Sequence, residues 1–332
     1  MAFSNPVAQG AYGGASSVAH GGLWGLGRIM QLEFSTQTLM MCDFLLPVST
    51  AFEQQFKESE CAWRGHTRYF SRLRRGQSLA PLTSSTIFAS NDRFFVITGG
   101  LGGLGMRAAA LLQTLHGDDH RALLVSRSGA AQESLLALPQ AEIVACDAAD
   151  AADVAALSCQ TVSLRARILH AAGVLTRGLV LDTAVRHIAS AIASKARGAW
   201  HLHIGAARAP IADLLLFSSI AAAFGSPGQG SYAAANSWLD SFATRYVYAG
   251  VPASEVQLPL ILDAGMGAHT FDRRQLSYRG MLAIQLDDFA MSLQCLMASD
   301  RCRFYPLSKI QRDVLCMVFD ESHALFSEFT HM

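Results

Sequence analysis

Residues 94–105 read FFVITGGLGGLG. The run from Phe94 to Thr98 suits a buried strand, because a parallel strand covered on both faces shows continuous apolar character rather than alternation. The glycines that follow lead straight into a helical pattern, GLGMRAAALLQTLH at 103–116. Glycines let a backbone approach a pyrophosphate closely, and a helix N-terminus offers unpaired N–H groups and the positive end of its dipole. A glycine-rich string alone also marks plain tight turns. Here a strand precedes it and a helix follows, which is the context nucleotide binding requires. The candidate cradle is Thr98, Gly99, Gly100, Leu101, Gly102, Gly103, Leu104 and Gly105.

Working outward, further apolar runs at 122–126, 141–146, 166–171, 213–218 and 256–262 alternate with helical stretches at 103–116, 150–158, 178–203 and 230–248. Alternation of this kind predicts an α/β fold, a Rossmann-type doubly wound parallel sheet with helices on both faces. Ligands bind such sheets at the carboxyl ends of the strands, so the loops after residues 98, 126, 146, 171, 218 and 262 share one rim. The second strand ends Ser126-Arg127-Ser128, about twenty residues past the last glycine, where an NAD-binding chain tends to place a carboxylate for the ribose 2′-OH. Arg127 suits a 2′-phosphate instead, so NADPH is the expected cofactor. The competing reading is an ordinary surface arginine. Asp147 has two readings of equal weight, a partner for the adenine amino group or a helix cap. After the fourth strand come His170, Ala171, Ala172 and Gly173, small residues that let a cofactor ring lie close. His170 reads as a packing residue that hydrogen-bonds the backbone.

The chemistry concentrates in residues 216–240, LFSSIAAAFGSPGQGSYAAANSWLD. The apolar run ends in Ser218-Ser219, a Gly/Pro-rich loop follows, and Tyr232 opens a helix with Asn236 one turn later. A hydroxyl at a strand end beside a phenol at a helix start can donate protons to a carbonyl. Side chains alternate along a strand, so Ser218 faces away from Ser219. A phenol near neutral pH needs a cation to act as an acid, and the position one turn after Tyr232 holds Asn rather than Lys.

Composition removes several other functions. Lys and Arg number 26 and so do Asp and Glu, giving a net charge of zero. That excludes a general electrostatic grip on nucleic acid or anionic membrane. The chain is 51% hydrophobic and 16% charged, consistent with a large core. Seven Cys without a CxxC pair fit reduced thiols, and His201 and His203 lack companions at ligand spacing, so no metal is expected. No apolar run approaches the ~18 residues of a membrane span, and the first residues lack a secretory pattern. A cytoplasmic location is expected, with organelle import left open. Ahead of a Ser- and Pro-containing linker at 79–91 lie a helix at 22–34, a strand within 38–48, a polar-faced helix at 51–59 and an extended basic stretch at 62–73. Residues 1–19 are expected to be unstructured, 20–90 to form a front part with its linker, 91–310 the nucleotide-binding domain and 311–332 a tail. No internal repeat is found.

TGGLGGLG at 98–105, SRSG at 126–129, CDAAD at 146–150, HAAGV at 170–174 and the segment from Ser218 to Asp240 together resemble a polyketide synthase ketoreductase domain of the short-chain dehydrogenase/reductase superfamily. The resemblance runs from about residue 20 to 310. It implies that the front part is a truncated remnant of the family's non-catalytic structural subdomain, so that the chain is a fragment, an incomplete gene model or a shortened form. It also implies a place for the cation. Lys195, in IASKARGAWHLH, matches the lysine that this family carries upstream of a Tyr followed by Asn. The implied catalytic set is Lys195, Ser219, Tyr232 and Asn236. Tyr232 acts as general acid, Lys195 lowers its pKa by charge proximity, Ser219 polarises the carbonyl, and Asn236 positions Lys195 or a relay water. Tyr232 and Lys195 also border the cofactor. Phe224, Gln229 and Met266 belong to the substrate side, under a lid near 265–285; Met266 has the equal alternative of packing the lid. The family's stereochemical fingerprints are absent, since Leu175-Thr176-Arg177 stands where Leu-Asp-Asp is usual and Phe224 where Trp is usual. The implied reaction is NADPH-dependent reduction of a β-ketoacyl thioester, polyketide or fatty acyl, borne on an acyl carrier protein among other synthase domains. A free-standing carbonyl reductase and a non-catalytic scaffold are the rival readings.

Overall fold

Helix α1 (Ser16–Glu33) leads to a small sheet in which β1 (Met41–Phe44) lies parallel to β2 (Glu60–Arg64), and β2 pairs antiparallel with β3 (Thr67–Tyr69). The computed structural model describes residues 2–3, 16–36, 39–44, 59–64, 67–70, 73–74, 93–130, 138–161, 165–206, 211–248, 250–262, 264, 277–278, 281–298, 304–306 and 309–310. Most of the helix expected at 51–59, the linker at 79–91, the tail at 311–332 and Met266 with most of its lid lie outside the described residues. α1 begins inside the stretch expected to be unstructured, and Ala2–Phe3 pairs with Leu73–Arg74.

The main sheet is built from β4 (Phe94–Thr98), β5 (Arg121–Ser126), β6 (Ala141–Ala145), β7 (Ala166–His170), β8 (Ile211–Ser219), β9 (Ala253–Leu258) and β10 (Phe304–Pro306). Its order is β10-β9-β8-β7-β4-β5-β6, with every neighbouring pair parallel. The connections are α2 (Gly103–His116), α3 (Ala151–Thr161), α4 (Val185–Ile192), α5 (Gly198–Ala206), α6 (Ile220–Phe224), α7 (Gly230–Tyr248) and α8 (Leu286–Ala298). The doubly wound parallel sheet is the architecture the alternating pattern predicts, and β10 extends it beyond the six expected strands. Successive strand residues feed opposite cores. Phe95, Ile97, Leu124 and Phe217 pack with Leu112 of α2 and Phe289 and Leu293 of α8. Phe94, Val96, Leu123 and Leu216 pack with Val154 of α3, Leu202 of α5 and Phe242 of α7.

The chain order reverses between β4 and β7, where it leaves the β6 edge and crosses to the other half of the sheet. The crevice above their carboxyl ends is the ligand position of such sheets. The stretch expected as one helix over 178–203 is divided. A short turn at Val180–Asp182 precedes α4, and a π-helical turn at Ala193–Arg197 joins α4 to α5 with Lys195 at its centre. An inserted residue of this kind re-aims side chains within a helix. Among the described residues no helix is long and apolar enough to cross a membrane, and no group of three His, Cys, Asp or Glu residues could hold a metal ion.

Candidate active site

β4 and β7 bring the glycine turn against the loop of small residues. Gly99 has φ +67°, and a Cβ there would lie 2.8 Å from the Ala172 N and Cα, so both conformation and space require glycine. The loop is tied down by Gly100 N–H donating to the Val125 carbonyl at 3.1 Å, Gly102 N–H to Gly99 at 2.9 Å, and Ala171 N–H to Thr98 at 3.1 Å. Gly102 caps α2 without a side-chain acceptor, and Gly102 and Gly103 are exposed. The first-turn N–H groups therefore face the rim without a helical partner. Leu101 and Leu104 pack against the core instead.

Arg127 stands exposed just past the end of β5, beside Ser126, whose hydroxyl lies 3.2 Å from that of Ser128. Among the described residues no carboxylate pairs with Arg127. Asp147 does not cap α3. That role falls to Asp150, whose carboxylate accepts the N–H groups of Ala152 and Asp153 at 2.8 and 3.1 Å. Asp147 instead closes a turn by accepting the Ala149 N–H at 3.0 Å.

His170 is fully buried between these parts. Its Nδ1 lies 2.7 Å from the Thr98 hydroxyl and its Nε2 2.9 Å from the Lys195 carbonyl. A carbonyl can only accept, so Nε2 carries the proton and Nδ1 accepts from Thr98. Burial, reinforced by the Lys195 charge, pushes the imidazole down to about 4, so the ring is neutral. The Thr98 hydroxyl, read as part of the cradle, is thus directed to His170.

Lys195, 2% exposed, donates from Nζ to the Phe217 carbonyl at 2.7 Å. The same Nζ sits 5.7 Å from the centre of the Tyr232 ring. Burial lowers the ammonium to about 8, with the Asp240 carboxyl opposing. Tyr232 is half-buried on the first turn of α7. Burial raises its phenol, while hydrogen bonding to Asn236 and Ser219 holds it down. Burial is the larger effect on this phenol, and the Lys195 ammonium, which donates to the Phe217 carbonyl, lies beside its ring. Ser219, at the end of β8, also caps α6 by accepting the Ala221 N–H at 3.2 Å. Ser218 points inward, its hydroxyl 3.4 Å from the Asn236 carbonyl. Asn236 is fully buried; its Nδ2 donates to the Tyr232 carbonyl at 2.9 Å, and its Oδ1 has no partner among the described residues.

The structure thus gathers Lys195, Ser219, Tyr232 and Asn236 on one rim, next to Gly99 and Ala171–Gly173. Phe224 and Gln229 are buried on the approach to α7, and Gln229 pairs with Gly178. Behind the site Gln257 donates to Asp240 at 2.8 Å, and burial raises the carboxyls of Asp240 and Glu255. Neither acid was singled out in the sequence, where nothing links α7 to β9.

A family model described as the KR domain matches residues 94–263, which is 170 of 332 residues. The chain belongs to the KR domain family. As a KR domain it stands with the ketoreductases of polyketide synthases in the short-chain dehydrogenase/reductase superfamily. The spectinabilin polyketide synthase system protein NorB of Streptomyces orinoci is 32% identical over 64% of this chain and 10% of its own length. Polyketide synthase GfsB of Streptomyces halstedii is 30% identical over 88% of this chain and 5% of its own. This KR domain therefore spans a tenth or less of these curated relatives. A solved structure of A-type ketoreductases from a modular polyketide synthase is 28% identical, with a TM-score of 0.81, over 94% of this chain and 69% of that one.

Proposed function

We propose that this KR domain reduces a β-ketoacyl thioester, carried by an acyl carrier protein, to the β-hydroxyacyl thioester with NADPH. The observation that carries the reading is the placement of the Lys195 ammonium 5.7 Å over the Tyr232 ring, on the rim where Ser219 and Asn236 hydrogen-bond the same residue. The residues fit a dinucleotide. The exposed Gly102–Gly103 helix start would take the pyrophosphate, Arg127 the 2′-phosphate, and Ala171–Gly173 the nicotinamide face, while Asp147 borders the adenine side.

When bound, the nicotinamide supplies the hydride. The chain's own residues handle the oxygen. Ser219 donates a hydrogen bond to the ketone and polarises it. Tyr232, held above its ordinary pKa, is protonated at neutral pH and has a proton to give to that oxygen. The Lys195 charge stabilises the phenolate left behind. The unpartnered Oδ1 of Asn236 offers an acceptor through which Lys195 or a relay water is oriented. Carrier-protein delivery accords with the multidomain synthases among which its relatives occur.

The test follows loss of NADPH absorbance with a β-ketoacyl thioester. Wild-type turnover that disappears in Tyr232→Phe, with folding and NADPH binding retained, supports the assignment. A folded, NADPH-binding wild type that does not turn over refutes it.

A further inference from the structure

Helix α1 reaches the catalytic rim with two charged side chains. Arg28 donates from Nη1 to the Ala222 carbonyl at 2.6 Å, while Glu60 holds its Nε and Nη2 at 2.7 and 2.8 Å. Ala222 lies three residues past Ser219. Five residues along α1, Glu33 accepts two backbone N–H groups, one on each oxygen: Gly228 on Oε1 at 2.8 Å and Val180 on Oε2 at 2.7 Å. Val180 opens the turn that follows the β7 loop. Gly228 lies in the loop that leads into α7, four residues before Tyr232. One carboxylate therefore spans the two loops that border the reacting end of the site.

Direct ties between the same loops run alongside this bridge. Gly178 N–H donates to the Gly228 carbonyl at 3.0 Å, and the hydroxyls of Thr176 and Ser231 are 2.8 Å apart. Apolar burial does little to hold the turn, since Leu179 and Leu181 on either side of Val180 are 52% and 81% exposed. Polar ties must fix it instead, and bonds to a charged acceptor are stronger than neutral ones. A carboxylate that accepts from both loops fixes the distance between them.

We propose that Glu33 is a positioning residue: its carboxylate clamps the Val180 turn to the Gly228 loop and sets the mouth above Tyr232 through which the ketone enters. The clamp deepens the proposed reduction and rests on it for its consequence in turnover, though not for its existence. α1 then has a task at the site besides covering α7.

Wild-type chain, Glu33→Gln and Glu33→Ala are compared in two measurements. The first is amide hydrogen–deuterium exchange without substrate. In Glu33→Ala, exchange over 178–184 and 226–231 rises about tenfold or more while β4, β7 and β8 keep their protection. Glu33→Gln, which keeps its size and one acceptor oxygen, gives a smaller rise. The second measurement uses NADPH and the N-acetylcysteamine thioester of 3-oxobutyrate. KM rises about tenfold in Glu33→Ala, the ratio of product enantiomers falls, and NADPH affinity stays within about twofold. Wild-type exchange in both loops of Glu33→Ala overturns the proposal. So does faster exchange across the whole sheet with loss of NADPH binding in both variants, which would make Glu33 a fastening for the fold. Loop-confined exchange in a protein whose wild type does not reduce the thioester supports the clamp while the reductive reading fails.

Discussion

Lys195 is buried, bonded to one carbonyl and brought down to about 8, and this controls how the site responds to pH. Lysine is charged below its pKa, and the proposed reduction needs that charge beside Tyr232. kcat/KM for the ketone is therefore level up to about 8 and falls about tenfold per unit above it. A profile level to pH ~10, the range of a free lysine, would contradict the role given to Lys195. Stability runs the other way in the same window. The unfolded chain binds the Lys195 proton up to its ordinary 10.5, so stability rises with pH between about 8 and 10.5. Arg127 is proposed to act on the cofactor alone. Arg127→Ala is expected to weaken NADPH by about ten- to a hundredfold, the range for one charge-assisted bond, and to leave NADH nearly unchanged. Equal weakening of both would return Arg127 to an ordinary surface residue. His170 shows what a sequence conceals at this scale. Its bond to the backbone was legible, but the partners Thr98 and Lys195 stand 72 and 25 residues away.

The parallel strands were the most legible elements, because burial on both faces leaves unbroken apolar runs such as FFVIT and ALLV. α2 and α7 were equally plain from their glycine-bounded helical patterns. The start of α1 was not. Its first turns are rich in Gly, Ala and Ser and carry little of the apolar stripe that marks a helix. They are helical because Gly21, Gly22 and Gly25 let α1 press against the backbone of α7. Tertiary contact thus overrides weak propensity. A Cβ at Gly25 would collide with the Ala233 carbonyl. Gly25→Ala is therefore expected to cost about 1–3 kcal/mol, read as a lower melting temperature, and to displace α1 from the site. An unchanged melting temperature would show that the helices are not in close contact there. β10 escaped notice because it is three residues long, ends in Pro306 and lies at the sheet edge, where a proline is tolerated. α8 did have a signal, with Leu286, Phe289, Ala290, Leu293 and Leu296 on one stripe.

At the scale of the molecule, the reversal of strand order between β4 and β7 makes the crevice, and the glycine turn and small-residue loop line it. Lys195 arrives through a π-helical turn, and Ser219 and Tyr232 from the β8–α7 connection. The proposed catalytic quartet stood out as a motif, Lys195 only through the family resemblance. How it is held was not, since α1, β7 and α7 meet only in three dimensions. The most direct test is reduction with NADPH deuterated at both hydrogens of nicotinamide C4, followed by mass spectrometry of the thioester. A β-hydroxyacyl product carrying one deuterium on the former ketone carbon, formed by wild type and absent with Tyr232→Phe, is the predicted result. A folded wild type that binds NADPH yet returns unreduced thioester, or product without deuterium, would contradict the account.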